Sequence, residues 1–342
     1  MAKKSAARRS SSPRIDVHTH VALPEVLALA KKVKVRGKGP GKQHWVPRPS
    51  LKYHSQQSVF PAATLTTPKA RLKDMDKMGV DMQVISMNLP TPAYWADGET
   101  GQKIARQCNE SVAEFVATYP DRYVGLGAVP LQDQSRTLKE MDYLASIGLK
   151  GVTIPSHIRT QDLGKSKFRK FWAKAEALKM PVYIHPRGFT HDDRLHEYFL
   201  WNSIGQPLEE ALAMASIIHE GILDDFPKLK IIIAHGGGYL PYYAGRTDKA
   251  YVSRPETRIN ITKQPSDYFS QFFYDTVIFD RDMLGLLVKK AGDRQIMMGT
   301  DYPRGEIEED PIGFVNRSKD LSRKSKDRIM GLNAAKLFEI SV

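Results

Sequence analysis

Hydrophobic positions along the chain follow two alternating rhythms. Short apolar, β-branched runs that read as buried strands occur at "RIDVH", "VDMQVISM", "YVGLGAV", "GVTIP", "PVYIH", "LKIIIAH", "FFYDTV" and "QIMMGT". Between them, apolar residues recur every three or four positions in "PKARLKDMDKMG", "ETGQKIARQCNESVAEFVATYP", "SRTLKEMDYLASIG", "KFRKFWAKAEALK", "PLEEALAMASIIHEGILDDFP" and "DMLGLLVKKAG", the spacing of helices with one buried face. Several of these stretches end on Gly or Pro just before the next strand, where a helix should stop. Eight strands alternating with helices over 342 residues predict a (β/α)8 TIM barrel. A doubly wound open sheet would carry a glycine-rich turn after its first strand, and none is present. No repeat or linker divides the sequence. The expected organisation is a basic, disordered tail over residues 1–14 and a single barrel domain over 15–342, with an elaborated loop at about 31–67.

Charge changes this picture less than its total suggests. The formal net charge is +13, but residues 1–54 hold 13 Lys/Arg against only Asp16 and Glu25, leaving 38 basic and 36 acidic residues in the rest. The excess is a tail and one loop on a nearly neutral body, and no nucleic-acid-binding motif accompanies it, so nucleic acid is not an expected partner. No run of about 18 apolar residues is present, which argues against a membrane span. The lone cysteine, Cys108, excludes an intramolecular disulfide and suits the reducing cytoplasm. "GKGPGK" in the long loop lacks the ending and the preceding strand of a phosphate-binding loop.

The candidate chemistry lies at the strand ends. His18 and His20 are two apart in the first strand, so their side chains share a face. His185 ends the fifth strand, His235 the sixth and Asp301 the eighth. On a barrel all five meet at the C-terminal rim, where active sites are assembled. Imidazole nitrogens with one carboxylate suit Zn2+, with Mn2+ or Fe2+ as alternatives. A second metal would need a bridging group at the end of strand four, which offers only Thr153 while Lys150 lies at its opposite end. One divalent ion per chain is therefore expected.

The motifs "DVHTH", "HP", "AHGGG" and "GTDYP" resemble those of the amidohydrolase superfamily, in particular the branch of aminocarboxymuconate semialdehyde decarboxylase and the o-hydroxybenzoate decarboxylases. "RLKDMDKMGVDMQVIS", "RYVGLGAVP", "FPKLKIIIAHGGGYLPYYAGR" and "MMGTDYPRGE" extend the likeness over nearly all of the chain after residue 14. The resemblance implies His18, His20, His185 and Asp301 as metal ligands; for a decarboxylation, Asp301 is also the candidate proton donor. It implies His235 as a catalytic acid/base and a homodimer in which Arg246 reaches the neighbouring subunit's site to hold a substrate carboxylate. The pocket departs from the family pattern. Val59 stands at the place of a substrate-binding arginine, Arg187 and Asn202 at those of two tryptophans, and Arg304 at that of a phenylalanine. The muconate substrate is thereby disfavoured, while the chemistry is not.

The expected function is metal-dependent nonoxidative decarboxylation of a small aromatic or unsaturated acid. The alternative is hydrolysis of an amide, lactone or activated C–C bond at the same site. Arg246, Arg187, Arg304 and His157 are the candidates for holding the anionic substrate. His44 and His54 fall in the long loop, His191, His196 and His219 read as surface or helix residues, and Tyr94 and Trp95 as wall or packing residues.

Overall fold

A computed structural model describes residues 12–33, 61–87, 93–186, 194–303 and 306–341. The basic tail before residue 12, most of the long loop (with His44, His54 and Val59), and Arg187, His191 and Arg304 lie outside the described residues. All eight expected strands form, each close to its apolar run. They are β1 (Ile15–Val21), β2 (Met82–Met87), β3 (Tyr123–Gly127), β4 (Gly151–Ile154), β7 (Val182–Ile184), β8 (Ile231–Ile233), β9 (Phe272–Asp275) and β10 (Ile296–Met297). A two-residue hairpin, β5 (His157–Ile158) with β6 (Gln161–Asp162), follows β4. The order β1-β2-β3-β4-β7-β8-β9-β10 is parallel throughout. The ring closes where Val17 N donates to Met298 O (2.9 Å), Asp301 N to His18 O (2.9 Å) and His20 N to Tyr302 O (2.8 Å). This is a (β/α)8 barrel.

Two apolar clusters follow from strand alternation. Ile231 and Ile233, like Val182 and Ile184, face the surrounding helices, while Ile232 and Tyr183 face inward. The inner cluster includes Ile15, Val17, Val84, Val124 and Met297, and is capped by Ala334, Ala335, Leu337 and Phe338 from the C-terminal segment. Helix starts are fixed by side chains that accept free N–H groups: Asp97 from Thr100, Asp133 from Arg136, and Asp280 from Asp282 and Met283. Helix Pro68–Met78 ends on Gly79, whose φ of 74° supplies the left-handed turn into β2.

β1 carries the irregularity that builds the site. Asp16 pairs with Gln83 but Thr19 with Ile85, so Val17 and His18 together stand opposite Val84. This extra residue is a β-bulge, and it reverses the phase of the strand. Below it Ile15 and Val17 point into the barrel; above it His18 and His20 do. The structure also corrects two expectations. The predicted tail includes Arg14, yet its N donates to Asp81 Oδ2 (2.8 Å) and its O accepts from Asp81 N (2.8 Å), so the fold begins before β1. The two ends of the segment around the long loop are helical, at Pro24–Lys32 and Ala63–Thr66. No helix among the described residues is long and apolar enough to cross a membrane.

Behind β1, fully buried Arg71 donates to His20 O (2.6 Å), Thr64 O (3.1 Å) and twice to Gln83 Oε1 (3.1 and 2.9 Å). Its guanidinium also stacks 4.7 Å from the Tyr302 ring centroid. Removing the donor strands these buried acceptors. Arg71→Met should therefore lower the unfolding free energy by about 3 kcal/mol or more in urea titration; a loss below about 1 kcal/mol would contradict the network's role.

Candidate metal centre

The five residues from the strand ends come together. His18 sits edge-on to His20 and His185, at ring-centroid distances of 5.1 and 5.0 Å, and tilted against His235 at 5.0 Å. His20 and His185 lie 4.8 Å apart, and His185 and His235 5.2 Å. One ligand atom each from His18, His185, His235 and Asp301 fits within 4.8 Å of the others. His20 joins through Asp301: its Nε2 is 2.9 Å from Oδ1, the oxygen that His18 Nε2 approaches at 3.2 Å, while His235 Nε2 stands 3.6 Å from Oδ2.

Three rings are aimed by what their other nitrogen binds. His18 Nδ1 lies 2.7 Å from Asp275 Oδ2, His185 Nδ1 2.9 Å from Pro186 O, and His235 Nδ1 2.6 Å from Glu210 Oε1. Each of these acceptors draws the proton to Nδ1 and leaves Nε2 facing the centre. Asp275 is itself held by the Tyr183 hydroxyl (2.8 Å) and by the main-chain N–H groups of Gly236 (3.2 Å) and Val277 (3.0 Å).

Electrostatics fit a cation at this point. Among the described residues nothing makes an aligned hydrogen bond to buried His18 Nε2 or His185 Nε2, an arrangement that costs free energy unless something binds them. Burial, reinforced by the neighbouring imidazoles, pushes His185 well below the ordinary histidine range and keeps it neutral. Burial alone would do the same to His18, but Asp301 and Asp275 raise it to about 9. His235 is raised well above its usual range because Glu210 and Asp301 outweigh burial. Burial would raise Asp301, yet His18 and its other imidazole neighbours hold it well below the usual carboxylate range. A positive charge is thus stabilised among these side chains, and neutral imidazole with carboxylate is the donor set of a divalent transition metal.

Other predicted residues are more peripheral. His157 is buried in β5 with Nε2 3.5 Å from Glu209 Oε2, and Ser156 Oγ donates to the same oxygen (2.9 Å). Arg246 is exposed near the start of helix Ala244–Ser253 and bonds to no site residue of its own chain among the described residues. Asn202 lies in the π-turn Trp201–Gly205, half-buried. Tyr94 and Trp95 pack against the outer core, with the Tyr94 carbonyl accepting from Arg159 (2.9 Å). His196 is exposed; His219 ends helix Gln206–His219, with Nδ1 3.0 Å from Thr257 O. Asp275 and Glu210 were not among the sequence candidates. Asp275 ends its strand on the same rim, a signal that was present; Glu210 looks like any helical glutamate.

The fold and the site define a (β/α)8 barrel with a metal-type centre at its C-terminal rim. The chain belongs to the amidohydrolase family, whose model matches residues 15–340. It is 28% identical over 325 residues to the 2-amino-3-carboxymuconate-6-semialdehyde decarboxylase of Dictyostelium discoideum, covering 94% of this chain and 90% of that one. It is 29% identical over 286 residues to the gamma-resorcylate decarboxylase of Rhizobium sp. (strain MTP-10005), covering 79% and 86%. Among solved structures it resembles 5-carboxyvanillate decarboxylase LigW from Sphingomonas paucimobilis, with a TM-score of 0.83 and 26% identity over 97% of this chain and 100% of that one.

Gly299 shows how tightly the centre is packed. A Cβ there would lie 2.9 Å from His18 Cβ, 3.0 Å from Asp275 Cβ and 3.2 Å from Val277 Cγ2. Two of these are atoms fixed to the main chain, so they have little room to give. Gly299→Ala should wedge His18 from Asp275 and cost about 1–3 kcal/mol of stability, measured by thermal and urea unfolding; an unchanged midpoint would show that the contact is slack.

Proposed function

We propose that this protein is a metal-dependent nonoxidative decarboxylase of a small aromatic or unsaturated carboxylic acid, with an o-hydroxybenzoate as the first candidate. One observation carries this reading: imidazole nitrogens and the Asp301 carboxylate converge within 4.8 Å, in a chain similar over most of its length to decarboxylases. His18, His20, His185 and Asp301 would hold one divalent ion, zinc in our assignment, with manganese or iron also suited to the donors. His20 is preferred to His235 as a ligand because it already meets the shared oxygen Oδ1, whereas His235 approaches Oδ2. When bound, the ion would supply Lewis-acid charge for the substrate carboxylate and an adjacent oxygen.

The remaining steps fall to the chain's own residues. A proton is added to the carbon bearing the carboxylate, the bond to the carboxyl carbon breaks, its electron pair restores the unsaturated system, and CO2 leaves. Asp301 is the donor, and His235 Nε2, 3.6 Å from Oδ2, is the group that supplies it. His157 contributes to the substrate wall, and Arg187 and Arg304, which lie outside the described residues, remain candidates for holding the substrate anion. We assign Arg246 to the site of a second copy of the chain. Its exposure beside Tyr239 and Tyr243 (39% and 67% exposed) suits a homodimer contact that would cover these rings. Buried Cys108 agrees with a cytoplasmic setting.

Elemental analysis of the purified protein should find one divalent transition metal per chain, and o-hydroxybenzoates should release CO2. Absence of stoichiometric metal, or uptake of oxygen-18 from water into the product without CO2, would overturn the assignment. His18→Ala should lose the metal and lower turnover by more than about 100-fold. Mixing Arg246→Ala and His18→Ala chains should recover activity through hybrid dimers; no recovery in a verified hybrid would refute the shared site.

A further inference from the structure

Four consecutive residues, His235 to Gly238, hold positive φ angles of 48°, 62°, 83° and 60°. Three are glycines, for which this conformation is ordinary; His235 alone carries a side chain into it. Gly238 packs against the start of helix Gln206–His219, where an added Cβ would overlap Pro207 O and lie 3.2 Å from Glu210 Cβ. Only a glycine lets the first turn of that helix come so near to the end of β8. The approach brings Glu210 to His235.

We infer that Glu210 is a positioning residue for His235, an inference that rests on the reaction proposed above. A carboxylate can only accept, so Oε1 at 2.6 Å from Nδ1 holds one imidazole proton there and leaves Nε2, facing Asp301, as the nitrogen that takes up and passes on the second proton. When His235 carries a second proton, the same carboxylate compensates its charge. Glu210 is fully buried, and its second oxygen, Oε2, has no hydrogen-bond partner among the described residues. A residue serving packing alone would not leave a buried carboxylate oxygen unmet. The His235 interaction is what offsets that cost. The same helix turn brings the adjacent Glu209 to Ser156 instead, so the two neighbouring carboxylates serve different walls of the rim.

The test uses the metal-loaded protein and the o-hydroxybenzoate turned over fastest in the panel above. Glu210→Ala should lower kcat by about 100-fold while KM stays within about threefold and metal content is unchanged. Glu210→Asp, which restores the charge on a shorter arm, should recover part of the loss. A kcat within about threefold of the parent, or a loss explained wholly by KM or by metal release, would overturn the inference. Nitrogen-15 NMR of the unsubstituted protein gives a second reading that needs no variant: Nδ1 of His235 should stay protonated whether or not Nε2 also carries a proton, and a ring with Nε2–H and a bare Nδ1 would overturn the inference. If the panel yields no turnover, the proposed reaction fails, while the tautomer still decides the role of Glu210.

Discussion

The hydrogen bond from His18 N to Asp16 Oδ1 (3.1 Å) closes the bulge of β1, and the site depends on that bulge. A regular strand with Ile15 and Val17 inside would send His18 and His20 outward to the helices. The inserted residue lets one strand supply two apolar side chains to the barrel floor and two imidazoles to its mouth. The same carboxylate accepts from Thr300 N (3.1 Å) and Thr300 Oγ1 (2.6 Å), so it also stitches β1 to the chain after β10, two residues below its other task. Burial lifts Asp16 to about 7 against these contacts. The seam of the barrel and the orientation of the first two histidines are therefore one structural feature.

The barrel was legible in the sequence because its strands are buried on both faces. Continuous β-branched runs such as "KIIIAH" and "PVYIH" leave little choice of element, and the amphipathic stretches between them dictate parallel crossovers. The elements that escaped are those whose burial comes from unusual partners. Helix Pro24–Lys32 buries only Val26 and Ala30, too few positions to declare a face. The His157–Asp162 hairpin is held by two residue pairs, and no periodicity reveals so short a ladder.

The candidate site was legible for a different reason: ionisable residues stand out where an apolar run ends. That rule finds His18, His20, His185, His235 and Asp301, and it extends to Asp275 at the end of "FFYD". It fails for Glu210. Helix Gln206–His219 contains Glu209 and Glu210 in succession, and neighbouring helical positions are normally split between core and solvent. Both are buried here because histidines and a serine, not solvent, meet them. That pairing arises from the tertiary approach of Gly238 to Pro207, which has no local signature.

The centre also explains why so much polarity is tolerated in a barrel core. Asp275, Asp301 and Glu210 are carboxylates inside a low-dielectric interior, and each would be strongly unfavourable alone. They are placed so that their combined negative field falls on the imidazoles, which is why His18 and His235 are raised while His185, lacking a carboxylate at its Nδ1, is not. A divalent cation among the Nε2 atoms would meet that field in place of protons. Metal uptake and proton release are then two sides of one charge balance. The carboxylates behind the rings do more than orient them: their charge makes the mouth of the barrel a place where a cation and then an anionic substrate can be held in turn. Exposed loops could vary around it without disturbing that balance, because the charges that set it are anchored on strand ends and one helix turn.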